Sequence, residues 1–330
     1  MFVKTGMLVA QRFDMKRFSL TGEAIPISEG VRHDSIGIIG AFCASATGQL
    51  AYEGGFDDVR LTWYDRHGKL LETVGGNAQV NSVQLSPDGR KAAITERSTG
   101  HPRIWIYDMV RGLRSRFTLD DSFFENDPAW SADRSSIVFS SNRNGGVDLY
   151  RRSVENPATP ELIYADKLVK QPLSFTPDDK YLLYQVAGNP ETGMDLWLLQ
   201  DPLGPAEKVK AMPFAQTRFN EVRGQFSPDG LWIAYTSDET GQFEVYVAPF
   251  PGPGERQQVS VGGGLYSRWR GDGKEIFYIG IGRNNLLMAA PLHFGPHNSL
   301  LGSVKRSRCF LSKATSGAVH TISRPTVSGF

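Results

Sequence analysis

The chain has 330 residues, and its 36 Lys and Arg nearly balance its 35 Asp and Glu. A net charge of +1 excludes a strong polyelectrolyte that binds nucleic acid or an anionic membrane surface. Apolar residues make up 40% of the chain, which is enough for a large core and excludes wholesale disorder. Its 35 Gly and 19 Pro are typical of many short strands joined by tight turns.

The first residues lack the apolar segment and the cleavage site of a secretory signal peptide. No apolar run reaches the roughly 18–20 residues of a membrane-spanning helix. We therefore expect the chain as written to be cytoplasmic and not to insert into a membrane. Cys43 and Cys309 form no CxxC pair or Cys/His cluster, so no structural zinc site is expected. Whether they pair stays open, with two free thiols favoured over a disulfide.

Two stretches open the chain, at 6–11 and at 22–27, and resemble the last two strands of a four-stranded blade. No turn motif of the type that recurs downstream precedes them. Residues 1–30 are therefore predicted to be half of a four-stranded unit.

From residue 44 onwards a turn motif recurs with a period in the mid-forties. Its Ser-Pro-Asp-Gly form is a turn because Pro presets φ, Asp tolerates the bend and Gly takes the positive-φ position. The six copies lie at 44–48, 85–89, 130–134, 175–179, 226–230 and 269–273. A period of this size indicates a repeat architecture, and propeller blades fall in this range.

Each turn is followed by a short apolar run, then by a residue in an alternating stretch, and in most repeats by a fourth strand. The apolar runs lie at 50–52, 92–94, 137–139, 182–184, 233–235 and 276–278. The residues that mark the third strand are Trp63, Trp105, Tyr150, Trp197, Tyr246 and Met288. Four antiparallel strands per repeat predict an all-β fold, a β-propeller of four-stranded antiparallel blades.

We predict a single propeller domain over 1–330 with six or seven blades. The repeats are placed at about 40–75, 80–119, 127–164, 171–210, 222–260 and 265–303. Residues 304–330 form an atypical tail, in which a strand at 317–322 could complete the half blade of 1–30. Such closure removes sheet edges on which other chains could pair. An incomplete seventh blade and a fragment of a longer propeller are the alternatives.

Two of the turn copies carry Arg134 and Asp179 in place of Gly. Asp adopts left-handed backbone geometry fairly easily, whereas Arg does so at a cost of about 1 kcal/mol. These departures weaken individual turns and leave the propeller prediction in place.

Four stretches carry a likeness to a known family: MLVAQRFD at 7–14, LTWYDR at 61–66, IVFSSNRNGGVDLY at 137–150 and GQFSPDGLWIAYTSDETGQFEVYVAPFP at 224–251. The repeats resemble WD-like propeller repeats of the TolB type, and are most similar to the propeller attached to bacterial receptor-type serine/threonine kinases. The resemblance covers about 2–295. It implies a sensory or protein-binding signalling module, extracytoplasmic if the chain is part of a longer receptor kinase. Similar propellers also stand alone, follow winged-helix DNA-binding domains or precede α/β-hydrolase domains in prolyl-oligopeptidase-like peptidases.

The motifs of common enzyme classes are missing from the sequence. It has no Gly-rich loop, catalytic loop or metal-binding motif of a protein kinase, and no Gly-x-Ser-x-Gly nucleophile elbow. The six His are scattered, and turn chemistry accounts for the repeating Asp residues. The chain is therefore expected not to be an enzyme, and to bind no cofactor and no metal.

Binding is expected on the loops that join second and third strands and on the loops that lead into each blade. These loops are polar and variable, whereas the opposite turns are stereotyped, and function in rigid scaffolds tends to lie on such loops. The candidate contact residues are Arg97, His101, Asn142, Arg143, Asn144, Arg218, Asn220, Glu221, Arg223, Asp238 and Glu239. The competing interpretation is that they are ordinary solvated loop residues.

We therefore expect a noncatalytic, monomeric scaffold or sensor that binds a protein or peptide. A small ligand in the channel is a further option, and no nucleic-acid partner is expected. Two alternatives stay open. One is a propeller enzyme, a metal-assisted lyase or hydrolase with its site at the channel mouth; the other is a truncated fragment of a larger signalling protein.

Overall fold

The computed structural model describes residues 2–4, 7–14, 17, 19–28, 42–44, 50–52, 59–65, 69–97, 101–156, 158–252, 254–281, 286–294 and 307–308. These residues form β strands, turns and one 3₁₀ turn, Ala206–Lys208. In this part of the chain no helix has the length and apolar character needed to cross a bilayer. The chain divides into two compact units, Met1–Val59 and Arg60–Phe330.

The first unit contains two antiparallel sheets. Three strands are adjacent in the order β1 (Phe2–Lys4), β2 (Met7–Asp14) and β3 (Ser19–Ser28). β2 and β3 confirm the two strands predicted near the start of the chain, and β1 adds a third that pairs with the first residues of β2. A two-stranded sheet consists of β4 (Phe42–Ala44) and β5 (Leu50–Tyr52).

The second unit is an all-β propeller with antiparallel four-stranded blades. It is preceded by a strand pair, β6 (Val59–Tyr64) and β7 (Leu70–Ala78). Blade I is β8 to β11 (Val80–Leu85, Lys91–Glu96, Arg103–Asp108, Leu113–Arg116), and blade II is β12 to β15 (Glu125–Trp130, Ser136–Ser141, Asp148–Ser153, Glu161–Tyr164). Blade III is β16 to β19 (Val169–Phe175, Tyr181–Asn189, Gly193–Gln200, Lys210–Ala215), and blade IV is β20 to β23 (Glu221–Phe226, Trp232–Ser237, Glu244–Pro249, Gln257–Gln258). Blade V is β24 to β27 (Gly264–Trp269, Glu275–Gly280, Leu286–Pro291, Ser307–Arg308).

The predicted number of six or seven blades is wrong for the described residues, which form five. The first predicted repeat, at about 40–75, appears as two separate strand pairs, β4 with β5 and β6 with β7. Its turn copy, Ala-Ser-Ala-Thr-Gly, lacks the Pro and Asp that define the later turns, and β4 and β5 pair over only three residues each. The predicted closing strand at 317–322 and Cys309 lie outside the described residues.

The positions of individual strands within the repeats are confirmed. The six apolar runs lie in β5, β9, β13, β17, β21 and β25, and the six marker residues lie in β6, β10, β14, β18, β22 and β26. The fourth strands that the sequence predicts in most repeats include β15 and the shorter β23. The spacing of turns and apolar runs in the sequence therefore predicted the order of the strands inside each blade.

Turn chemistry explains the repeating Asp residues, as predicted. Ser86 Oγ donates a hydrogen bond to Asp88 Oδ1 (2.7 Å). The same bond recurs in the pairs Ser131–Asp133, Thr176–Asp178 and Ser227–Asp229. Hydrogen bonds from Thr176 and Lys180 lower the pKa of Asp178 to about 2, so this carboxylate is ionised when it closes its turn.

The two turns without Gly also adopt positive φ, at Arg134 (66°) and Asp179 (58°). Both residues contact a neighbouring blade. Arg134 Nη1 lies 2.6 Å from Asp88 Oδ2 in blade I, and Asp179 Oδ1 accepts a hydrogen bond from the Ala132 N–H (2.5 Å) in blade II. These contacts offset part of the cost of left-handed geometry.

The core lies between adjacent blades. One cluster joins Phe139 and Tyr150 of blade II to Ile104 of blade I, and the other clusters likewise join neighbouring sheets. Trp63 and Val74 of the β6–β7 pair pack against blade I in the same way. Apolar burial between blades therefore holds the second unit together.

Candidate functional site

The first strands of the five blades share a cavity of about 30 Å³, which we call the central channel. The residues around the cavity all belong to β8, β12, β16, β20 or β24: Ser82, Val83, Gln84, Asp127, Pro128, Pro172, Leu173, Arg223, Gly224, Gln225 and Arg268. Polar and charged side chains from different blades therefore meet in this cavity.

Three first strands carry unusual backbone geometry at one shared position. Asp127, Arg223 and Tyr266 have positive φ values of 51°, 58° and 58°, although none of them is Gly. Each lies at a β-bulge, which bends the strand and redirects side chains. Left-handed geometry costs such residues about 1–2 kcal/mol each, and backbone strain of this kind clusters at functional sites. The repetition makes the central channel a candidate site.

Among the described residues that line the channel, positively charged side chains outnumber negatively charged ones. Arg223 lies over the ring of Tyr266, with 5.1 Å from its guanidinium carbon to the ring centroid. Burial lowers the pKa of Arg268 to about 10, and the positive charge of Arg223 adds to this effect. Burial also raises the pKa of Asp127 to about 6, against the opposing effects of Arg223 and of a hydrogen bond from Gln171. Two cations and one carboxyl group that ionises with difficulty therefore line the same cavity.

We expect Asp127→Asn to stabilise the protein near neutral pH. Because the pKa of Asp127 is raised, its contribution to stability is present below about pH 4 and is lost as the pH rises through about 6. Asn has no such titration and tolerates positive φ. The variant should gain about 2–3 kcal/mol in unfolding free energy at pH 7.5 and little at pH 4. Urea denaturation at both pH values measures this, and a loss of stability at pH 7.5 would contradict it.

A second concavity, the inter-blade groove, lies between blades III and IV and has a volume of about 750 Å³. It is lined by Leu198, Met212, Pro213, Phe214, Ala215, Gln216, Thr217, Tyr235, Ala248, Pro249, Pro251, Gly252, Gly254 and Arg256. β23 has only two residues, which pair with Tyr246 and Val247, so it does not extend along the end of β22. Pro249 and Pro251 have no N–H with which to extend this ladder. The short outer strand therefore leaves this side of the blade open.

Aromatic rings form the floor of the inter-blade groove. Tyr235 packs edge-on against Phe214 (6.3 Å between centroids) and stacks on Tyr246 (5.8 Å). Burial raises the pKa of Tyr235 to about 12, so its hydroxyl is protonated at neutral pH. Arg256 forms an ion pair with Glu239. The groove thus combines an apolar, aromatic floor with a polar end.

Several predicted contact residues use their polar atoms inside their own blades. Asn142 Oδ1 accepts the Phe124 N–H (2.8 Å), and Asp238 Oδ1 accepts the Asn220 N–H (2.8 Å). Asn220 Nδ2 also donates to Asp238 Oδ2 (2.7 Å). In each of the two blades, these bonds hold the start of the first strand against the end of the second strand. These three residues therefore have an observed structural role, and their role in contacting a partner stays a prediction.

Two predicted residues take part in buried networks. Arg143 Nη2 lies 2.5 Å from Oε1 of Glu125, whose side chain is fully buried, and its guanidinium lies 4.5 Å from the centre of the Phe123 ring. Glu221 is buried and accepts hydrogen bonds from the hydroxyl (2.5 Å) and the N–H (3.2 Å) of Thr217. Burial raises the pKa of Glu221.

The remaining predicted residues do not converge. His101, Asn144 and Arg218 are exposed, and Arg218 lies over Phe219 with 4.9 Å to the ring centroid. Arg97 is half-buried at the end of β9, and burial lowers its pKa. Of the eleven predicted residues, Arg223 lines the channel cavity.

Sequence reasoning missed Asp127, Tyr266, Arg268 and Arg256. A usable signal was present for two of them, because Asp127, Arg223 and Tyr266 all lie four residues before the second position of their turn copies. Aligning the repeats on the turns would have placed these three side chains at one level of the channel. Arg256 follows a Pro- and Gly-rich loop and has no counterpart in the other repeats.

We expect Arg143→Ala to act mainly on stability. The substitution leaves the buried Glu125 carboxylate without its cation, which should lower the unfolding free energy by about 3 kcal/mol. Asn144→Ala, at the exposed neighbouring position, is the matched control and should change it by less than about 0.5 kcal/mol. Chemical denaturation tests both variants. Equal stability of Arg143→Ala and the parent would show that Arg143 has no structural role.

No group of three or more His, Cys, Asp or Glu suited to a metal ion occurs among the residues that the structure describes. The charged groups that the described residues supply to the channel are guanidiniums and a single carboxyl, which do not form a set of metal ligands. The chemistry that this arrangement supports is the binding of a ligand through hydrogen bonds and charge.

No protein-family model matches the chain. A curated relative, the "Uncharacterized peptidase YuxL" of Bacillus subtilis (strain 168), is 26% identical over 211 residues, which cover 51% of this chain and 32% of the relative. The chain thus spans about a third of the length of that relative.

Two solved structures share the architecture. TolB from Agrobacterium tumefaciens superposes with a TM-score of 0.60 and 16% identity, over 77% of this chain and 89% of that protein. TolB from Acinetobacter baumannii does so with a TM-score of 0.54 and 16% identity, over 86% of this chain and 76% of that protein. Identities this low show the fold alone, and none of these three proteins supports the predicted link to kinase propellers. Together with the antiparallel four-stranded blades, the two structures show that the chain has a TolB-like β-propeller fold.

Proposed function

We propose that the chain is a noncatalytic scaffold that binds an extended, apolar segment of another protein in the inter-blade groove. The observation that carries the proposal is the groove itself, about 750 Å³ in volume with an aromatic floor and proline-containing walls. Ligand sites are typically concave and apolar, with a few polar groups that fix orientation. Gln216, Thr217 and Arg256 are the polar residues of the groove lining.

The backbone beside the groove favours an extended peptide. β19 is the last strand of blade III, and among the described strands it pairs only with β18. Its other edge therefore offers N–H and C=O groups next to the groove, apart from Pro213. Extended peptides commonly bind by adding to such an edge while their side chains fill adjacent apolar pockets.

The likeness to a peptidase gives a second candidate function. The matched relative carries a peptidase name, and this chain spans about a third of its length. In that case the chain would be the propeller portion of a peptidase-type protein, and the groove would hold a peptide substrate rather than a regulatory partner. A sensory role in signalling, the likeness to kinase propellers and the cytoplasmic location remain predictions.

A displayed peptide library tests the proposed function. The purified chain should select extended peptides rich in apolar and aromatic residues. Ala215→Trp fills the groove and should weaken the selected peptides at least about tenfold, a loss of about 1.4 kcal/mol. Leu113→Trp adds the same ring at an exposed position of blade I and should leave affinity unchanged.

Mass spectrometry of each peptide after incubation completes the test. The peptide should be recovered intact. Unchanged affinity in Ala215→Trp would overturn the groove as the binding site, and cleavage by the purified chain would overturn the noncatalytic assignment.

A further inference from the structure

We propose that the central channel binds a carboxylate group between the guanidiniums of Arg223 and Arg268. This site is separate from the inter-blade groove and does not depend on the proposed function. The two arginines belong to adjacent first strands, β20 and β24, and line one cavity.

Arg268 has unused hydrogen-bonding capacity. Its Nη1 donates to the carbonyl oxygen of Ser267 (2.9 Å), and no described carboxylate lies within ion-pair distance of its guanidinium. A guanidinium has five N–H donors, and two of them match the two oxygens of a carboxylate. The half-buried Arg268 thus presents donors to the cavity that no described residue is seen to satisfy.

The channel also has an excess of positive charge. Among the described residues around the cavity, Asp127 has the only carboxyl, whereas Arg223 and Arg268 supply two guanidiniums. Asp127 Oδ2 is buried and has no hydrogen-bond partner in the described structure. Burying the Arg268 guanidinium without a described carboxylate partner is costly, so a bound anion would stabilise it.

The size of the cavity selects the ligand class. A cavity of about 30 Å³ has room for a group of a few heavy atoms but not for a nucleotide or a sugar phosphate. A planar carboxylate fits both this space and the planar guanidiniums. It can come from a small free acid or from the carboxylate of a peptide that enters the channel.

Acetate is the probe for the first source. Isothermal titration of the whole chain with sodium acetate, against sodium chloride at equal ionic strength, should show saturable binding of acetate. Arg268→Gln should weaken acetate binding about tenfold or more, the effect of losing charge-assisted hydrogen bonds. Arg218→Gln removes an exposed arginine outside the channel and should leave acetate affinity unchanged.

Asp127→Asn provides an independent check, because it removes a carboxyl that lines the same cavity as the two arginines. This substitution should strengthen acetate binding several-fold at pH 7.5, where the Asp127 carboxyl is ionised. The other charged or titratable groups around Asp127 are Arg223, Arg268 and Tyr266. Equal acetate affinity in the parent and in Asp127→Asn would overturn the proposal, even if Arg268→Gln fails to fold.

Paired peptides distinguish the two sources of carboxylate. A short peptide with a free C-terminus that binds more tightly than acetate, and more tightly than its C-terminal amide, identifies a peptide carboxylate. Acetate binding without this difference identifies a small acid. If neither acetate nor the peptides show saturable binding, the proposed site is overturned. Ala215→Trp, which fills the inter-blade groove, should leave acetate affinity unchanged, so the test of the channel is separate from the test of the groove.

Discussion

Lys170→Ala is expected to lower the free energy of unfolding by about 3–5 kcal/mol. Lys170 lies in β16 of blade III and its side chain is fully buried. Its Nζ lies 2.9 Å from Oδ1 of the buried Asp148 in blade II and 2.7 Å from Oδ1 of Asp166. It also donates to the Leu168 carbonyl oxygen (2.6 Å). Removing the amine leaves a buried carboxylate between two blades without its cation.

The matched control for this prediction is Lys180→Ala. Lys180 pairs with Asp178 at 3.0 Å, but both side chains are more than half exposed, so the loss should be below about 1 kcal/mol. Urea denaturation of the two variants gives the comparison. Similar losses in both would contradict the account of blade packing, because burial would then make no difference to an ion pair.

A double substitution tests the cause of the Lys170 effect. Replacing Lys170 with Met and Asp148 with Leu removes both charges and keeps the volume filled. Such replacement of a buried pair is often neutral or stabilising. We expect the double variant to be more stable than Lys170→Ala.

Phe139→Ala is expected to cost about 3–5 kcal/mol of unfolding free energy. Phe139 is fully buried between blades I and II. Its ring packs edge-on against Phe117 (6.2 Å between centroids) and stacks on Tyr150 (6.4 Å). Truncation removes apolar contacts and leaves a cavity that surrounding strands cannot close fully.

Leu113→Ala is the control for Phe139→Ala. Leu113 belongs to blade I, and its side chain is 65% exposed, so truncation should change stability by less than about 0.5 kcal/mol. Thermal or chemical unfolding measures both variants. A loss below about 1 kcal/mol for Phe139→Ala would show that the interface between blades I and II does not contribute as the structure indicates.

Local features of the fold could be predicted from the sequence because they depend on neighbouring residues. The turn bonds of Asp88 and Asp178 follow from turn chemistry within five residues. Strand positions followed from the offset between turns and apolar runs. The number of four-stranded blades could not be predicted in this way, because the pairing of β4 with β5 and of β6 with β7 into separate sheets depends on the geometry of the first repeat as a whole.

The candidate sites were less predictable. The side chains of Asn142 and Arg143 bind a backbone N–H and a buried carboxylate, which the polarity of their loop did not indicate. Their role in contacting a partner stays a prediction. The positive φ of Asp127 and Arg223 could not be predicted from composition, because the bulges occur at residues other than glycine; alignment of the repeats on their turns would have grouped the two residues. The inter-blade groove depends on the shortness of β23, which is a tertiary property.

Hydrogen–deuterium exchange with a selected peptide tests the central claim most directly, that this TolB-like propeller binds an extended segment in the groove between blades III and IV. The account predicts slower exchange on peptide binding at Lys210–Ala215 and at Glu244–Pro249, which flank the groove. Exchange at Leu113–Arg116, in blade I, should not change. Protection confined to the loops after β9, β13 and β21, with none at the groove strands, would contradict the account.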